Sequence, residues 1–148
     1  MGSTIKESWI DQLRPGLFNF FSLFEYNTLH DDLETNNYIL CTDSLTLKFE
    51  GILRDYIRFL GGSTVKIRSG QTEEILLEEM LEHKMITNYF ESAEIEFFKY
   101  VFTSQGMNVR NNVAHGFYKV LDYSFRKMSY ILLCILRMCR FSLEEKSK

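Results

Sequence analysis

Asp43-Ser44-Leu45-Thr46-Leu47-Lys48-Phe49-Glu50-Gly51-Ile52-Leu53-Arg54-Asp55-Tyr56-Ile57-Arg58-Phe59-Leu60-Gly61-Gly62 reads as one complete helix with both of its ends marked. Leu45, Leu47, Phe49, Ile52, Leu53, Tyr56, Ile57 and Leu60 recur at helical spacing and gather into an apolar stripe that must be buried. Asp43 or Ser44 can cap the start with a side-chain oxygen, and Gly61-Gly62 permits the left-handed turn that closes a helix. Glu50, Arg54 and Arg58 follow at four-residue steps on one face, an order worth roughly 0.2–0.5 kcal/mol per pair. That stripe is either a salt-bridged surface or the support of a neighbouring functional group. The helix belongs at the centre of a core, and the class it predicts is all-α.

Composition agrees with that class. The 148 residues suit a single domain, 45% of them are hydrophobic, and 13 Phe and 8 Tyr stand against one Pro, a balance that favours aromatic-packed helices over a turn-rich β sandwich. Upstream, residues 1–30 read as an aromatic-rich helical extension carrying Trp9, Ile10, Leu13, Leu17, Phe18, Phe20, Phe21 and Phe24, interrupted or restarted near Pro15-Gly16. Asn27 to Asn37 is polar and predicts a loop. His30, Asp31 and Asp32 lie in it, but adjacent loop side chains rarely converge on a metal, so they read as polar groups of an exposed loop facing water. Downstream, Val65 to Arg68 predicts a short extended segment before Ser69-Gly70. Helical spacing resumes over Glu73 to Glu82, and a further helix spans Glu91 to Ser104 with Gly106 as its stop. Phe117 to Phe141 predicts a long final helix, apolar nearly all round at its end and therefore core, interface or both. His83 reads as a surface residue.

Several function classes are set aside by the same reading. Cys41, Cys134 and Cys139 have neither C-x-x-C spacing nor nearby histidines, so no disulfide framework, zinc site or other cofactor is expected. The N-terminus lacks the order of a signal peptide and the longest apolar run, Tyr130 to Leu136, is too short to span a bilayer, so a soluble protein of a reducing cytoplasm is expected. The formal charge of −3 is unevenly spread: Gln71 to Phe98 holds eight acids against Lys84, whereas Lys99 to Arg140 holds seven bases against Asp122. Those two stretches either pair as solvated faces or leave a local positive potential for a polyanion.

Within the basic stretch lies Arg110-Asn111-Asn112-Val113-Ala114-His115-Gly116. Arginine offers a permanent charge and a planar fork of donors for phosphate oxygens, histidine can take and return a proton near neutrality, and the Asn111 amide can orient either one. These residues could cut a phosphodiester without a metal. Residues five apart on a helix lie about 140° apart around its axis, so Arg110 and His115 cannot share a face, whereas Asn111 and His115 can. A helix starting near Asn108 to Arg110 would put the arginine in its first turn, where free N–H groups favour an anion.

The pattern R-x-x-x-x-H with a polar residue after the arginine, met by Arg110, Asn111 and His115, resembles that of the HEPN superfamily of small α-helical domains. The phrase Met107 to Gly116 looks like the "LRN…AHG" form of one HEPN group, and Ser44 to Arg54 is similar to that group's core helix. The likeness covers about Asp43 to Arg140. It implies a bundle of four to five helices over 43–140, a homodimer, and two motifs facing each other across the dimer interface. It further implies a metal-independent endoribonuclease that leaves a 2′,3′-cyclic phosphate, acting in a toxin–antitoxin or antiphage system with an antitoxin or sensor partner. Arg110, Asn111 and His115 would be its catalytic residues, with Glu50, Arg54 and Asn112 as possible supports. Other readings stay open: a noncatalytic HEPN module that dimerises or binds a nucleotide and couples other proteins, a helical subunit whose last helix docks in a larger assembly, and a purely structural motif in which Arg110 pairs with Glu50 and His115 is a core histidine.

Overall fold

A computed structural model describes residues 5–33, 35 and 37–139, with only the backbone of 5–8. Among these residues the chain is predominantly helical, with one small two-stranded sheet.

The first helix, α1 (Ile5–Leu29), runs unbroken through Pro15, where the sequence predicted an interruption. A mid-helix proline costs roughly 3 kcal/mol, so packing must outweigh it. The packing is visible at two glycines. Gly16 lies so near Leu45 of α2 (Ile39–Phe59) that a Cβ there would stand 2.8 Å from its side chain, and Gly51 lies closer still to the Trp9 indole, at 2.6 Å. Trp9 Nε1 donates to Asp55 at 2.8 Å, Lys48 Nζ to Gln12 at 3.1 Å, and Asn27 Nδ2 to the Tyr38 hydroxyl at 3.0 Å. Residue numbers rise on one helix as they fall on the other, so α1 and α2 form an antiparallel hairpin.

The connection is shorter than the predicted loop, because α1 extends to Leu29 and buries Asn27 against Asn37 and Tyr38. Helix α2 also begins a turn earlier than Asp43 or Ser44, at Ile39, with Tyr38 at the cap position and no side-chain cap. Tyr38 is wholly buried among Phe20 and Phe125, and that burial fixes the helix start where a polar cap was expected. The other end matches the sequence: Gly61 has φ +81°, its N–H meets the Arg58 carbonyl at 3.0 Å, and Gly62 N–H meets Ile57 at 2.8 Å.

Strand β1 (Val65–Arg68) is present as predicted, but its partner β2 (Gln71–Glu74) takes the place of the expected helix start. Ser69 and Gly70 both have positive φ, 51° and 78°, the requirement of a two-residue hairpin turn. Helix α3 (Leu77–Leu81) is therefore short. It leads into α4 (Lys84–Thr87), where the partly buried His83, predicted as a surface residue, caps the helix by accepting from Met85 N–H at 3.2 Å. Helix α5 (Ser92–Phe102) sets Phe98 and Phe102 against Phe49, with ring centroids 5.3 and 4.0 Å apart. A short α6 (Val109–Ala114) follows.

The final helix, α7 (Phe125–Cys139), begins later than Phe117, and Phe117–Ser124 is a loop containing one 3-10 turn, Val120–Asp122. A left-handed Gly116 ends α6, and Tyr123 turns inward, so helical φ and ψ cannot run through. Arg140 and Phe141 of the predicted helix lie outside the described residues. Met128, Ile131, Cys134, Ile135 and Met138 bury one face of α7 against α2 and α5, and the Tyr56 hydroxyl donates to the Met138 carbonyl at 2.8 Å. No helix among the described residues is long and apolar enough to cross a membrane.

Candidate functional site

Helix α6 starts at Val109, with Arg110 in its first turn, within the range that the sequence indicated. Its entry is set by Asn108, held in the left-handed region (φ 52°) that asparagine tolerates better than most residues. Its exit is set by Gly116 (φ +66°): Gly116 N–H bonds to Val113 at 3.2 Å and Phe117 N–H to Asn112 at 2.8 Å. The motif therefore spans most of a short helix and its exit turn, with Asn108 setting the start and Gly116 the end.

Arg110 Nε donates to Glu50 Oε2 at 2.6 Å, and its Nη2 lies 3.5 Å from Oε1. The remaining nitrogen, Nη1, donates to Asn111 Oδ1 at 3.3 Å, while Asn111 Nδ2 donates to Asn108 Oδ1 at 3.0 Å. Asn111 thus orients the arginine rather than the imidazole. Each Nη makes one of these contacts and so carries one further N–H beyond those engaged among the described residues. Asn112 points back to the Met107 carbonyl at 3.5 Å, so its amide shapes the helix entry.

Glu50 is the hub. It also accepts from Arg54 at 3.1 Å, and Arg54 reaches Glu74 at 2.6 Å and the Ile75 carbonyl at 3.2 Å. Arg58 adds a second contact to Glu74 at 3.2 Å and holds Thr64 through Nε at 3.0 Å. With only 15% of its side chain exposed, Glu50 depends on both arginines to offset its desolvation. The stripe that the sequence offered as either surface bridging or motif support performs both tasks: Arg54 and Arg58 tether the β hairpin, and Glu50 fixes Arg110.

His115 follows the last turn of α6 and is exposed, not a core histidine. Its ring stacks on Phe117, with centroids 5.5 Å apart and planes 28° from parallel. The segment behind it is anchored by tyrosines. Lys127 Nζ sits 4.2 Å from the Tyr118 ring centre, and Tyr123 is turned inward beside the Asp43 carboxyl. Burial, then the neighbouring Asp43 carboxylate, push the Tyr123 phenol up to about 12. Burial likewise raises Asp43 above the usual aspartate value, opposed by the Tyr123 hydrogen bond, and its Oδ1 is enclosed without a partner. Sequence reading missed this Asp43–Tyr123 link. Its only signal was an acid one turn inside a helix that had been assigned to the cap.

The other candidates separate cleanly from this site. His30 bonds through Nδ1 to the Tyr26 carbonyl at 2.7 Å and stacks on the Tyr26 ring at 4.1 Å. Cys41 and Cys134 are buried free thiols and Cys139 is an exposed one. The acidic and basic stretches do pair in part, through Lys99 to Glu82 at 3.4 Å and Arg137 to Glu94 at 3.7 Å. The chain matches no family model, no curated protein and no solved structure.

Proposed function

We propose that the protein is a metal-independent endoribonuclease of HEPN type, with Arg110, Asn111 and His115 as its reacting and orienting groups. The observation that carries this reading is the exposed imidazole of His115 at the end of the helix that opens with a carboxylate-fixed arginine. His115 takes the proton of a ribose 2′-hydroxyl, whose oxygen attacks the adjacent phosphorus. The P–O5′ bond breaks, and the 5′-oxygen leaves with a proton from an acid, the His115 of a second copy in a two-fold arrangement. The further Nη hydrogens of Arg110 face the charge that grows on the phosphorane oxygens. Exposed Val120 and Leu121, 61% and 80% accessible just beyond the motif, suit a surface that closes such a dimer. As an effector of a toxin–antitoxin or antiphage system, the enzyme would be restrained by a partner protein.

Matched RNA and DNA oligonucleotides incubated in excess EDTA provide the test. RNA should be cut to 2′,3′-cyclic phosphate ends and DNA left whole, since it lacks the internal nucleophile. His115→Ala should slow cleavage by about 10²–10⁴-fold without unfolding the chain, as expected for loss of a general acid–base. RNA cleavage that is unchanged in His115→Ala rules out the assignment.

A second reading, a noncatalytic helical module, draws on one specific observation, the 2.6 Å bond that engages Arg110 with Glu50. It predicts that Arg110→Ala lowers stability while His115→Ala changes nothing. Expression in a growing host separates the two: rescue of growth by either substitution supports catalysis, and indifference supports the module.

A further inference from the structure

Positive charge in the basic half of the chain is mostly spent. Lys99 is paired with Glu82 and Glu96, Arg110 with Glu50, Lys127 with Asp122 and Arg137 with Glu94. Among the described residues of that half, Lys119 and Arg126 have no ion pair, and both are exposed on the segment that follows His115. Arg126 lines a recess of about 320 Å³ together with Met107, Ser124 and Lys127. Met107 belongs to the turn that enters α6, and its carbonyl receives the motif's Asn112 at 3.5 Å, so the recess adjoins the motif rather than a distant face. Lys127 is held in place there, 3.5 Å from Asp122 and 4.2 Å from the Tyr118 ring centre, whereas the Arg126 guanidinium has no ion pair among the described residues.

We propose that this recess is a subsite for a backbone phosphate of single-stranded RNA lying to one side of the linkage that meets His115. The identity of the polyanion rests on the ribonuclease reading, and the subsite itself rests on the recess and its cations. A clamped ammonium beside such a guanidinium suits a phosphodiester, which carries its charge on two oxygens that one fork can engage. Phe117, 67% exposed and stacked on His115 with planes 28° apart, offers a flat face on which an unpaired base can stack, a feature that an acidic peptide would not use. The chain's overall charge of −3 makes such a local cluster more selective, because nonspecific attraction elsewhere is weak.

The test is fluorescence anisotropy with a labelled single-stranded oligouridylate in EDTA, across a series of salt concentrations. The full chain carries His115→Ala so that the RNA survives. Adding Arg126→Gln should weaken binding about fivefold and flatten the dependence of log affinity on log salt by about 0.7, the loss of one phosphate contact on a single strand. Arg126→Glu should weaken it further, and Lys84→Gln, at an exposed lysine of the acidic half, should change neither quantity. Circular dichroism of each variant checks that the fold is kept. Equal affinity and slope for the parent and both Arg126 variants, or no binding by the parent, overturns the subsite. Cleavage by chains that keep His115 is measured separately. Arg126-dependent binding without cleavage would sink the nuclease and leave the subsite, and cleavage with Arg126-independent binding would do the reverse.

Discussion

Asp43 illustrates how one residue can be placed against its own ionisation. Its carboxylate is partly withdrawn from water, one oxygen has no partner, and burial outweighs the Tyr123 hydrogen bond in setting its proton affinity. The folded value is therefore above the unfolded one. Its favourable contribution is present in full below the ordinary aspartate value of 3.8 and is lost as pH rises through the raised folded value. Asp43→Asn keeps an acceptor for Tyr123 and removes the charge. It should melt at a higher temperature than the parent at neutral pH, and the gain should vanish once the pH falls below the carboxylate range. Thermal melts at the two pH values decide this, and a gain of equal size at both would show that charge is not the cause. Glu50 is placed differently: it is largely buried, but two guanidinium groups meet its carboxylate at 3.1 and 2.6 Å and offset its removal from water.

Among the elements, the α1–α2 hairpin shows most clearly where sequence reading works and where it stops. Gly51→Ala should gain about 1 kcal/mol in helix propensity, yet its Cβ would stand 2.6 Å from the Trp9 ring. That indole cannot swing away without losing its 2.8 Å bond to Asp55, so overpacking of about 1–3 kcal/mol should win and the variant should be less stable. Urea unfolding of Gly51→Ala, Trp9→Ala and the double variant tests it, and additive effects would mean the two residues do not meet. Such close contacts are tertiary, which is why Pro15-Gly16 looked like a break and not like a contact point. The α2 apolar stripe, the Gly61-Gly62 stop and the Glu50–Arg54 spacing were legible because each depends on local periodicity or backbone freedom. The start of α2 was not, because buried Tyr38 decides it through rings of α1 and α7. The β hairpin was half legible: Ser69-Gly70 signalled the turn, but Gln71-Thr72-Glu73-Glu74 has no strand-like residues beyond Thr72, and its position depends on Arg54 and Arg58 gripping Glu74. At the site, the order of Arg110, Asn111 and His115 could be read directly, whereas the bond from Arg110 to Glu50, 60 positions apart, could only be suspected.

At the scale of the molecule, two of the exposed apolar patches bear on how copies of the chain could meet, and the shared site proposed above needs only one of them. Ile10, Leu17, Phe18 and Leu136 line an apolar groove of about 350 Å³ between α1 and α7, while Val120 and Leu121 flank the motif on the loop after His115. A two-fold interface uses the same patch on both copies, so one built on the loop would bring two His115 rings toward a common axis. One built on the groove carries no such requirement. Leu121→Glu would place a carboxylate against its own symmetry mate, a like-charge contact that costs several kcal/mol once desolvated. The expected result by light scattering is a dimer for the parent, a monomer for Leu121→Glu and a dimer still for Leu136→Glu, with RNA cleavage lost only in the monomer. His115 would remain in place in both variants, so cleavage by a monomeric Leu121→Glu chain would show that one copy suffices and would remove the shared-site model.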